Sequence, residues 1–427
     1  MGGILLAFVA VDAIGVAIVF DLLHLRLLGL VVAGAAIVLA LAGYRDSNSE
    51  RVRTVTVAAL FLLLLFLPQA LLIAEQPPNA PIIDGVLVND VAADRLLSGH
   101  DPYVGDYLNT VMRTFYLSDV PVNFGLSRLV YPPGMMLLDV PLRALHNNRA
   151  NLSWLYLPAL LALAAGAWSV GRTTAEKQAA LIVVALDPLF QLDYLYLLND
   201  VFFLAPALGG VGMLRRGRPI AAGVLFGLAL AMKQQALLFL PLLVLYAYQY
   251  LARREALGLL LAGAAVAGAI ILPFFIWDPR AFLAGTAGFF YGSGVASYPI
   301  RGIGLQGVLL SRGLIGSRWD SFPSAQLQVP LLAIALVAAV RDLRRRWSWT
   351  RYWAWLGVEA MIVFGFGRGL SPNYLDLTIA FFLLALGSAL VGEPPVGAVA
   401  GDVEGSPSGG REVIVPAENQ PGHLPAV

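Results

Sequence analysis

The stretch VTVAALFLLLLFLPQALLIA, residues 55–74, runs for twenty residues without a charged side chain. An α-helix rises about 1.5 Å per residue, so a helix of this length crosses the roughly 30 Å hydrocarbon core of a bilayer. The segment therefore predicts a membrane-spanning helix. The pattern recurs along the chain, and the apolar runs predict about twelve spans, near 3–21, 26–43, 55–74, 152–171, 178–196, 201–214, 219–232, 234–251, 256–276, 327–341, 352–366 and 374–391.

Composition agrees with an all-α, polytopic membrane bundle. The 427 residues are 59% hydrophobic and 13% charged, whereas soluble domains carry about 25% charged residues. Lipid must therefore cover much of the surface. A net charge of +1 gives no reason to expect a nucleic-acid partner, and the lack of cysteine excludes disulfides, thiolate metal sites and cysteine nucleophiles. The N-terminal apolar run has no basic stretch before it, which predicts a retained span rather than a signal peptide.

Basic residues orient the predicted spans. They occupy every second connection, as the positive-inside rule requires of cytoplasmic loops. Both termini are then predicted to be cytoplasmic, and the Gly-, Pro- and Glu-rich tail, 392–427, is predicted to be disordered. The basic residues are Arg45, Arg51, Arg53, Arg172, Lys177, Arg215, Arg216, Arg218, Arg253, Arg254, Arg341, Arg344, Arg345, Arg346 and Arg351.

Two long extracytoplasmic loops, 75–151 and 277–326, interrupt the predicted bundle of residues 1–391. Loops of this length are usually functional. In the first, DVAADRLLS (90–98) has helical periodicity, with Asn89 as its predicted cap. The segment 129–145 is apolar but rich in proline, so we expect it to lie in the membrane interface rather than to cross the bilayer.

The first loop carries the candidate catalytic carboxylates. Asp84 follows the third span by about ten residues, which places it near the membrane surface, and Asp90 follows one short segment later. A carboxylate there can act as a general base or bind a divalent cation. The alternative is that these carboxylates are solvated or cap helices; Asp94 has the spacing of a helix-surface residue, and Asp101 precedes a proline as turn residues do.

A second polar group lies in LDPLFQLDYLYLLND, residues 186–200, at the outer end of the fifth span. Polar side chains at membrane depth usually face a cavity or a partner, so Gln191, Asp193 and Asp200 are candidate substrate ligands. Asp193 and Asp200 share a face two turns apart if the helix continues. The alternative is an ordinary interfacial helix end.

Three cations on the predicted outer side are candidate ligands for an anionic lipid headgroup. Lys233 lies between two apolar segments that we interpret as two helices, Arg301 lies in the second long loop, and Arg368 precedes Asn373 and Tyr374 at the start of the last span. Snorkelling is the alternative for Lys233. Pairing with loop carboxylates is the alternative for the two arginines.

Other site classes lack support in the sequence. The four histidines have no metal-ligand spacing, no glycine-rich phosphate loop precedes a helix in a βαβ context, and no serine-hydrolase elbow is present. The sequence therefore predicts no histidine metal site, although a divalent cation (Mg²⁺ or Mn²⁺) stays open through the carboxylates.

Together these motifs resemble the GT-C superfamily of polyprenyl-phosphate-sugar-dependent glycosyltransferases. The resemblance covers most of residues 55–390, through individually weak motifs in a consistent order. They are Asp84-Gly85, the helix at 90–98, Gly99-His100-Asp101-Pro102-Tyr103, Tyr131-Pro132-Pro133, LDPLFQLDYLYLLND (186–200), AAGVLFGLALAMKQQALLFLPLL (221–243) and SPNYLDL (371–377).

The resemblance implies an inverting transfer of a sugar, with mannose as the expected sugar, from a polyprenyl phosphate to a lipid or glycan acceptor in cell-envelope glycan biosynthesis. It implies a multi-pass protein of the cytoplasmic membrane with an extracytoplasmic active site. Asp84 matches the catalytic carboxylate, with Asp90 as the alternative, and Lys233 matches the lysine near the donor phosphate. Arg301 and Arg368 join it as phosphate ligands, and the substrate ligands also include Tyr103, Tyr131, Asn373 and Tyr374.

Two departures from the family pattern matter. The first carboxylate follows the third span rather than the first, so spans one and two resemble an N-terminal addition. Asp84 is followed by Gly85 rather than by a second acidic residue, which weakens a metal site. A twelve-span secondary transporter or glycolipid flippase is the rival interpretation, but the two halves of the chain show no similarity.

Overall fold

The computed structural model describes residues 2–45, 47–75, 84–107, 109–114, 128–145, 152–195, 197–291 and 297–392. The predicted tail, apart from Gly392, lies outside these residues. Within them the chain is a bundle of helices, as predicted, with one minimal pair of strands.

Seventeen helices are labelled here in chain order. They are α1 (Gly2–Leu22), α2 (Arg26–Arg45), α3 (Glu50–Glu75), α4 (Asp84–Leu97), α5 (Gly134–Leu145), α6 (Leu152–Val170), α7 (Thr174–Ala185), α8 (Pro188–Leu195), α9 (Asp200–Arg215), α10 (Pro219–Met232), α11 (Leu240–Tyr250), α12 (Arg253–Trp277), α13 (Pro279–Leu283), α14 (Leu305–Ser311), α15 (Ser324–Arg345), α16 (Trp349–Gly365) and α17 (Pro372–Val391). A π-helical turn, Ala284–Gly288, continues α13 to Phe289–Tyr291, and 3-10 helices cover Val111–Thr114 and Gln234–Phe239. The strands are β1 (Arg301–Gly302) and β2 (Gly369–Leu370), which pair in parallel.

Among the described residues, seven helices are long and apolar enough to cross a membrane: α1, α2, α3, α6, α12, α15 and α17. The prediction of twelve spans is therefore not confirmed as a count. The other five predicted spans are helical but shorter; helix interruptions at Asp187-Pro188 and at Lys233 account for three of them.

Small residues bring the central helices close together. A Cβ atom at Gly223 of α10 would lie 2.1 Å from the Leu259 carbonyl oxygen of α12, and one at Gly227 would lie 2.5 Å from the Gly263 carbonyl oxygen. Glycine permits this backbone contact, which is typical of membrane helix pairs. Either glycine replaced by a larger residue would force these helices apart.

The block 219–251 forms two helices, as predicted. Lys233 has an extended backbone (φ −154°, ψ 136°) that ends α10 and starts the 3-10 turn leading to α11. The break turns the lysine side chain into the bundle, where it is 1% exposed. The snorkelling alternative is thereby wrong.

Two local predictions are also wrong. The helix expected at 90–98 begins at Asp84, so Asn89 is an internal helical residue that donates to the Gly85 carbonyl oxygen (2.6 Å) instead of capping. The helix begins earlier because the apolar residues between Asp84 and Asp90 continue the same helical periodicity. Asp193 and Asp200 do not share one helix, because α8 ends at Leu195 and α9 starts at Asp200.

Helices α4 and α5 pack together, and this packing brings two buried carboxyl groups close to each other. Asp90, the alternative catalytic carboxylate, is 5% exposed, lies close to the fully buried Asp139 and accepts from the Leu152 amide (3.1 Å). Burial and then the Asp139 charge raise the pKa of Asp90, and burial also raises the pKa of Asp139. Two carboxylates this close cannot both be ionised cheaply, so the pair holds a proton. Nearby, Arg143 makes a two-pronged ion pair with Asp94.

Glu176 of α7 both caps its own helix and forms a buried ion pair. Its carboxylate accepts from the Arg172 amide (2.6 Å) as part of the cap of α7, and it also binds Arg215 of α9 (3.1 Å). Both charged side chains are at most 5% exposed. Removing one partner of such a pair leaves an uncompensated buried charge.

We predict that Glu176→Ala lowers the free energy of unfolding by about 3–5 kcal/mol, because Arg215 loses its buried counter-charge. Thermal unfolding of detergent-solubilised protein measures this loss. Glu255→Ala is the matched control, because Glu255 caps α12 in the same way (to the Ala252 amide, 3.0 Å) but is exposed and shows no ion pair. Equal losses in both variants would contradict a special role for the buried pair.

A second prediction concerns pH. Because the pKa values of Asp90 and Asp139 are raised in the folded state, the folded protein holds protons that the unfolded chain releases. The free energy of unfolding should therefore fall as pH rises above about 4, the ordinary range of aspartate. Asp139→Asn should flatten this dependence by up to about 1.4 kcal/mol per pH unit.

Melting temperatures between pH 5 and pH 8 measure this slope. Asp106→Asn, an exposed loop change with the same loss of charge, is the control. Parallel curves for wild-type protein and Asp139→Asn would show that the pair does not share a proton.

Candidate active site

Lys233 lies at the centre of a buried polar cluster. Its Nζ donates to Asn199 Oδ1 and to Asp200 Oδ1, each at 2.8 Å. The ammonium group also lies 5.8 Å from the ring centres of Tyr131 and Tyr374, and such faces stabilise a cation. The lysine is therefore a fixed charge whose counter-ion is Asp200.

Asp200 is in turn held by the last helix. Asn373 Nδ2 donates to Asp200 Oδ2 (3.0 Å), and Ser371 donates to Asn373 Oδ1 (2.6 Å). Asp200 is the first residue of α9 and Asn373 the second of α17. Their hydrogen bond joins two helix N-termini that are remote in sequence, and it brings three predicted site residues together.

Asp84 is the first residue of α4 and belongs to the same pocket. Removal from water raises the pKa of its half-buried carboxyl, while the Gly85 amide, Arg301 and Lys233 act in the opposite direction. Two cations are thus close enough to stabilise the Asp84 carboxylate. The predicted base and the predicted phosphate-binding lysine share one pocket.

Close packing at Gly85 holds α4 against this pocket. A Cβ atom there would lie 2.5 Å from Asn199 Nδ2 and 3.3 Å from Tyr131 Oη. The second residue of the Asp-Gly motif therefore lets Asp84 approach the cluster, where a larger side chain would collide with Asn199.

Tyr131 lies between Asp84 and the lysine cluster. Its hydroxyl lies next to the Asn199 side chain, and its pKa is raised well above the ordinary value, by burial first and then by the Asp84 charge. Tyr103 does not share this pocket: its ring packs on Phe282 (4.9 Å between ring centres), and its hydroxyl donates to the Tyr131 carbonyl oxygen (2.8 Å). Tyr103 thus positions the backbone of Tyr131.

The two candidate arginines have different surroundings. Arg301 is half-buried in β1, which pairs with β2 and brings its side chain within electrostatic reach of Asp84. Arg368 directs its guanidinium group to the carbonyl oxygens of Tyr298 (2.5 Å), Asp320 (2.9 Å) and Arg318 (3.1 Å). Those contacts hold the segment that carries Arg301.

Two candidate substrate ligands of the 186–200 segment, Gln191 and Asp193, are not seen in the cluster. Gln191 lies elsewhere in the bundle, and the side chain of Asp193 is not described. Gln191 donates to the carbonyl oxygens of Leu64 (2.8 Å) and Asp12 (3.3 Å), which ties α8 to α1 and α3. The backbone of Asp193 is helical, and its side chain is not among the described ones. Asp90, as described above, is engaged by Asp139.

A cavity of about 460 Å³ adjoins the cluster between α15, α16 and the 234–241 segment. Its walls are mostly apolar, and Tyr374 and Gln235 line the end next to Lys233, where Gln235 Nε2 donates to Tyr374 Oη (3.3 Å). Tyr298 lines the same cavity. Sequence reasoning missed Gln235 and Tyr298 because neutral side chains in apolar surroundings carry no charge signal.

Within the part of the chain that the structure describes, no group of three or more histidine and acidic side chains is arranged to hold a metal ion. Participation of Mg²⁺ or Mn²⁺ therefore stays a prediction from the sequence. The described cluster places the Asp84 carboxyl group near two cations, Lys233 and Arg301, beside an apolar cavity.

Comparison with known proteins gives one match. A sequence model of glycosyltransferase family 87 matches residues 129–372, more than half of the chain. That range contains Tyr131, Asp200, Lys233 and Arg301, while Asp84 precedes it. Searches of curated proteins and of solved structures returned no match.

The family match agrees with the predicted resemblance and with a multi-pass helical bundle, and the match and the fold give the transporter alternative no support. The chain belongs to glycosyltransferase family 87, a family of GT-C-type membrane glycosyltransferases.

Proposed function

We propose that this enzyme transfers a hexose, with mannose as the expected sugar, from a polyprenyl phosphate to an acceptor hydroxyl, with inversion at the anomeric carbon. The observation that carries the proposal is the packing of the Asp84-Gly85 motif against Asn199, which places Asp84 within electrostatic reach of Lys233 and Arg301. A base and a phosphate site on either side of one sugar ring are what a single displacement requires.

In the proposed step the acceptor hydroxyl gives its proton to the Asp84 carboxylate as its oxygen attacks the anomeric carbon. The bond from that carbon to the phosphate oxygen breaks, and the bonding electrons leave with the polyprenyl phosphate. A raised pKa suits Asp84 to this role, because a general base works best with a pKa near the working pH.

The leaving phosphate gains negative charge, which fixed cations stabilise best in a pocket shielded from water. Lys233 and Arg301 are the proposed ligands. Because Asp200 already neutralises Lys233, the phosphate must share the ammonium with Asp200, and Arg301 supplies additional positive charge. Arg368 contributes by fixing the segment that holds Arg301, and Tyr131, Asn373 and Tyr374 line the sugar site.

The location of the reaction follows from the loops. The positive-inside pattern supports an extracytoplasmic pocket in the cytoplasmic membrane, because the basic connections lie at the other ends of the helices. The apolar cavity beside Lys233 supports a substrate carried on a lipid. Asp90 is the weaker candidate for the base, because its carboxyl is engaged by Asp139 and the Leu152 amide.

Asp84→Asn should lower kcat by about 10²–10⁴-fold while leaving the melting temperature unchanged, because the amide cannot accept the proton. In the wild-type enzyme, kcat/KM should fall on acidification with an apparent pKa above the ordinary aspartate value. Purified protein with radiolabelled polyprenyl-phosphate mannose measures both. Asp106→Asn is the control for loss of one loop charge, and normal turnover by Asp84→Asn would refute the assignment.

Lys233→Ala should raise KM for the donor more than KM for the acceptor, because only the donor carries the phosphate. The substitution also leaves Asp200 buried without its counter-ion, which destabilises the fold. The double variant Lys233→Ala/Asp200→Asn keeps the charge balanced and isolates the effect on the donor. Equal changes in both KM values would count against a phosphate role.

A further inference from the structure

Lys233 keeps a hydrogen-bond donor for a ligand while its ion pair stays closed. A lysine ammonium group has three N–H donors, and those of Lys233 meet two acceptors among the described residues, Asn199 Oδ1 and Asp200 Oδ1, each at 2.8 Å. The third donor can bind a ligand oxygen with both side chains in place. A phosphate therefore joins the ion pair and does not replace Asp200.

Asp200 has a fixed donor on each carboxylate oxygen. Oδ1 accepts from Lys233, and Oδ2 accepts from Asn373 Nδ2 (3.0 Å). Asn373 is held in turn by Ser371, which donates to Asn373 Oδ1 (2.6 Å). The side chains of Lys233 and Asp200 are only 2% and 3% exposed, so water does not compete for these bonds. The negative charge of Asp200 thus stays in the site when a ligand binds.

This fixed charge sets the charge balance of the site. Lys233 and Arg301 are its cations, and both act on the Asp84 carboxyl group. Asp200 neutralises Lys233 at hydrogen-bond distance. Without Asp200, a phosphate bound here would meet one more positive charge.

The proposed reaction changes the charge of the lipid phosphate. The donor is a phosphodiester between the sugar and the polyprenol, and it carries one negative charge. After transfer the lipid is a phosphomonoester, whose second ionisation has a pKa of about 6, so it carries close to two negative charges above neutral pH. A strongly positive site would therefore hold the product more tightly than the donor.

We propose that Asp200 makes this site selective for the singly charged donor over the doubly charged product, so that polyprenyl phosphate leaves after each transfer. Asp200 acts on the phosphate through Lys233, so it is a positioning residue and takes no part in the proton transfer. The identity of donor and product rests on the proposed function.

The test compares two probes that differ in phosphate charge: polyprenyl phosphate and its methyl ester, polyprenyl methyl phosphate. Binding of each probe to the detergent-solubilised full chain is measured by titration at pH 8. Asp200→Asn should shift the ratio of the two affinities toward polyprenyl phosphate by about tenfold relative to wild type, because the added positive charge attracts a dianion more than a monoanion. At pH 5 polyprenyl phosphate carries mainly one charge, and the shift should largely disappear.

Two further variants separate charge from position. The double variant Asn199→Asp/Asp200→Asn exchanges the two acceptors of Lys233 and keeps the charge of the site, so it should restore the wild-type ratio. Asn199→Asp alone adds a negative charge and should shift the ratio about tenfold toward the methyl ester. Asn199→Asp also keeps the counter-ion of Lys233, so it tests the proposal even if Asp200→Asn, which removes that counter-ion, does not fold.

Transfer kinetics give a readout that a purely structural role of Asp200 would not change. In Asp200→Asn, slow release of polyprenyl phosphate should produce a burst of a single turnover followed by a lower steady rate. Damage to the fold would instead lower the burst and the steady rate together.

An unchanged affinity ratio in either folded single variant would overturn the proposal. A double variant that matches Asp200→Asn would overturn it as well, because the site charge would then not decide the ratio. The two proposals can fail separately. The expected ratios without any sugar transfer by wild-type protein would refute the proposed function alone. Normal transfer from polyprenyl-phosphate mannose with unchanged ratios would refute the role of Asp200 alone.

Discussion

The buried ion pair between Lys233 and Asp200 is the interaction on which the site depends. A lysine 1% exposed inside an apolar bundle needs a counter-ion and further hydrogen-bond acceptors, and Asp200 and Asn199 supply them at 2.8 Å each. The helix break at Lys233 turns the side chain inward, and Asn373 fixes the second oxygen of Asp200. One charge thus ties together three helix ends.

This arrangement explains why the candidate site forms where helices begin. Asp84, Asp200 and Asn373 lie at or next to the starts of α4, α9 and α17, so their polar groups meet outside the apolar bodies of those helices. The short β1–β2 pair adds Arg301 from a loop, and Gly85 permits the close approach of α4. The candidate site therefore combines helix ends with the Asp84 carboxyl group and two cations.

Other buried polar groups serve different purposes, and their surroundings distinguish them. Glu176 has a full set of partners and stabilises the bundle. Asp90 and Asp139 lie close together between α4 and α5, and burial raises the pKa of both carboxyl groups. Glu359 has no hydrogen-bond partner for Oε1 among the described residues, and it lines a cavity. An unsatisfied group next to empty space indicates a ligand, whereas a satisfied one indicates a structural role.

The sequence alone determined the helical membrane class, the division of 219–251 at Lys233 and the family resemblance, because these depend on local hydrophobicity and on residue order. It overestimated helix continuity at 186–200 and placed the start of α4 too late, since periodicity does not locate helix ends. Only the tertiary structure decided that Asp200 and Lys233 pair, that Arg368 and Tyr103 support neighbours, and that Gln191 lies elsewhere. Those outcomes depend on contacts between segments up to 179 residues apart, which no local pattern encodes.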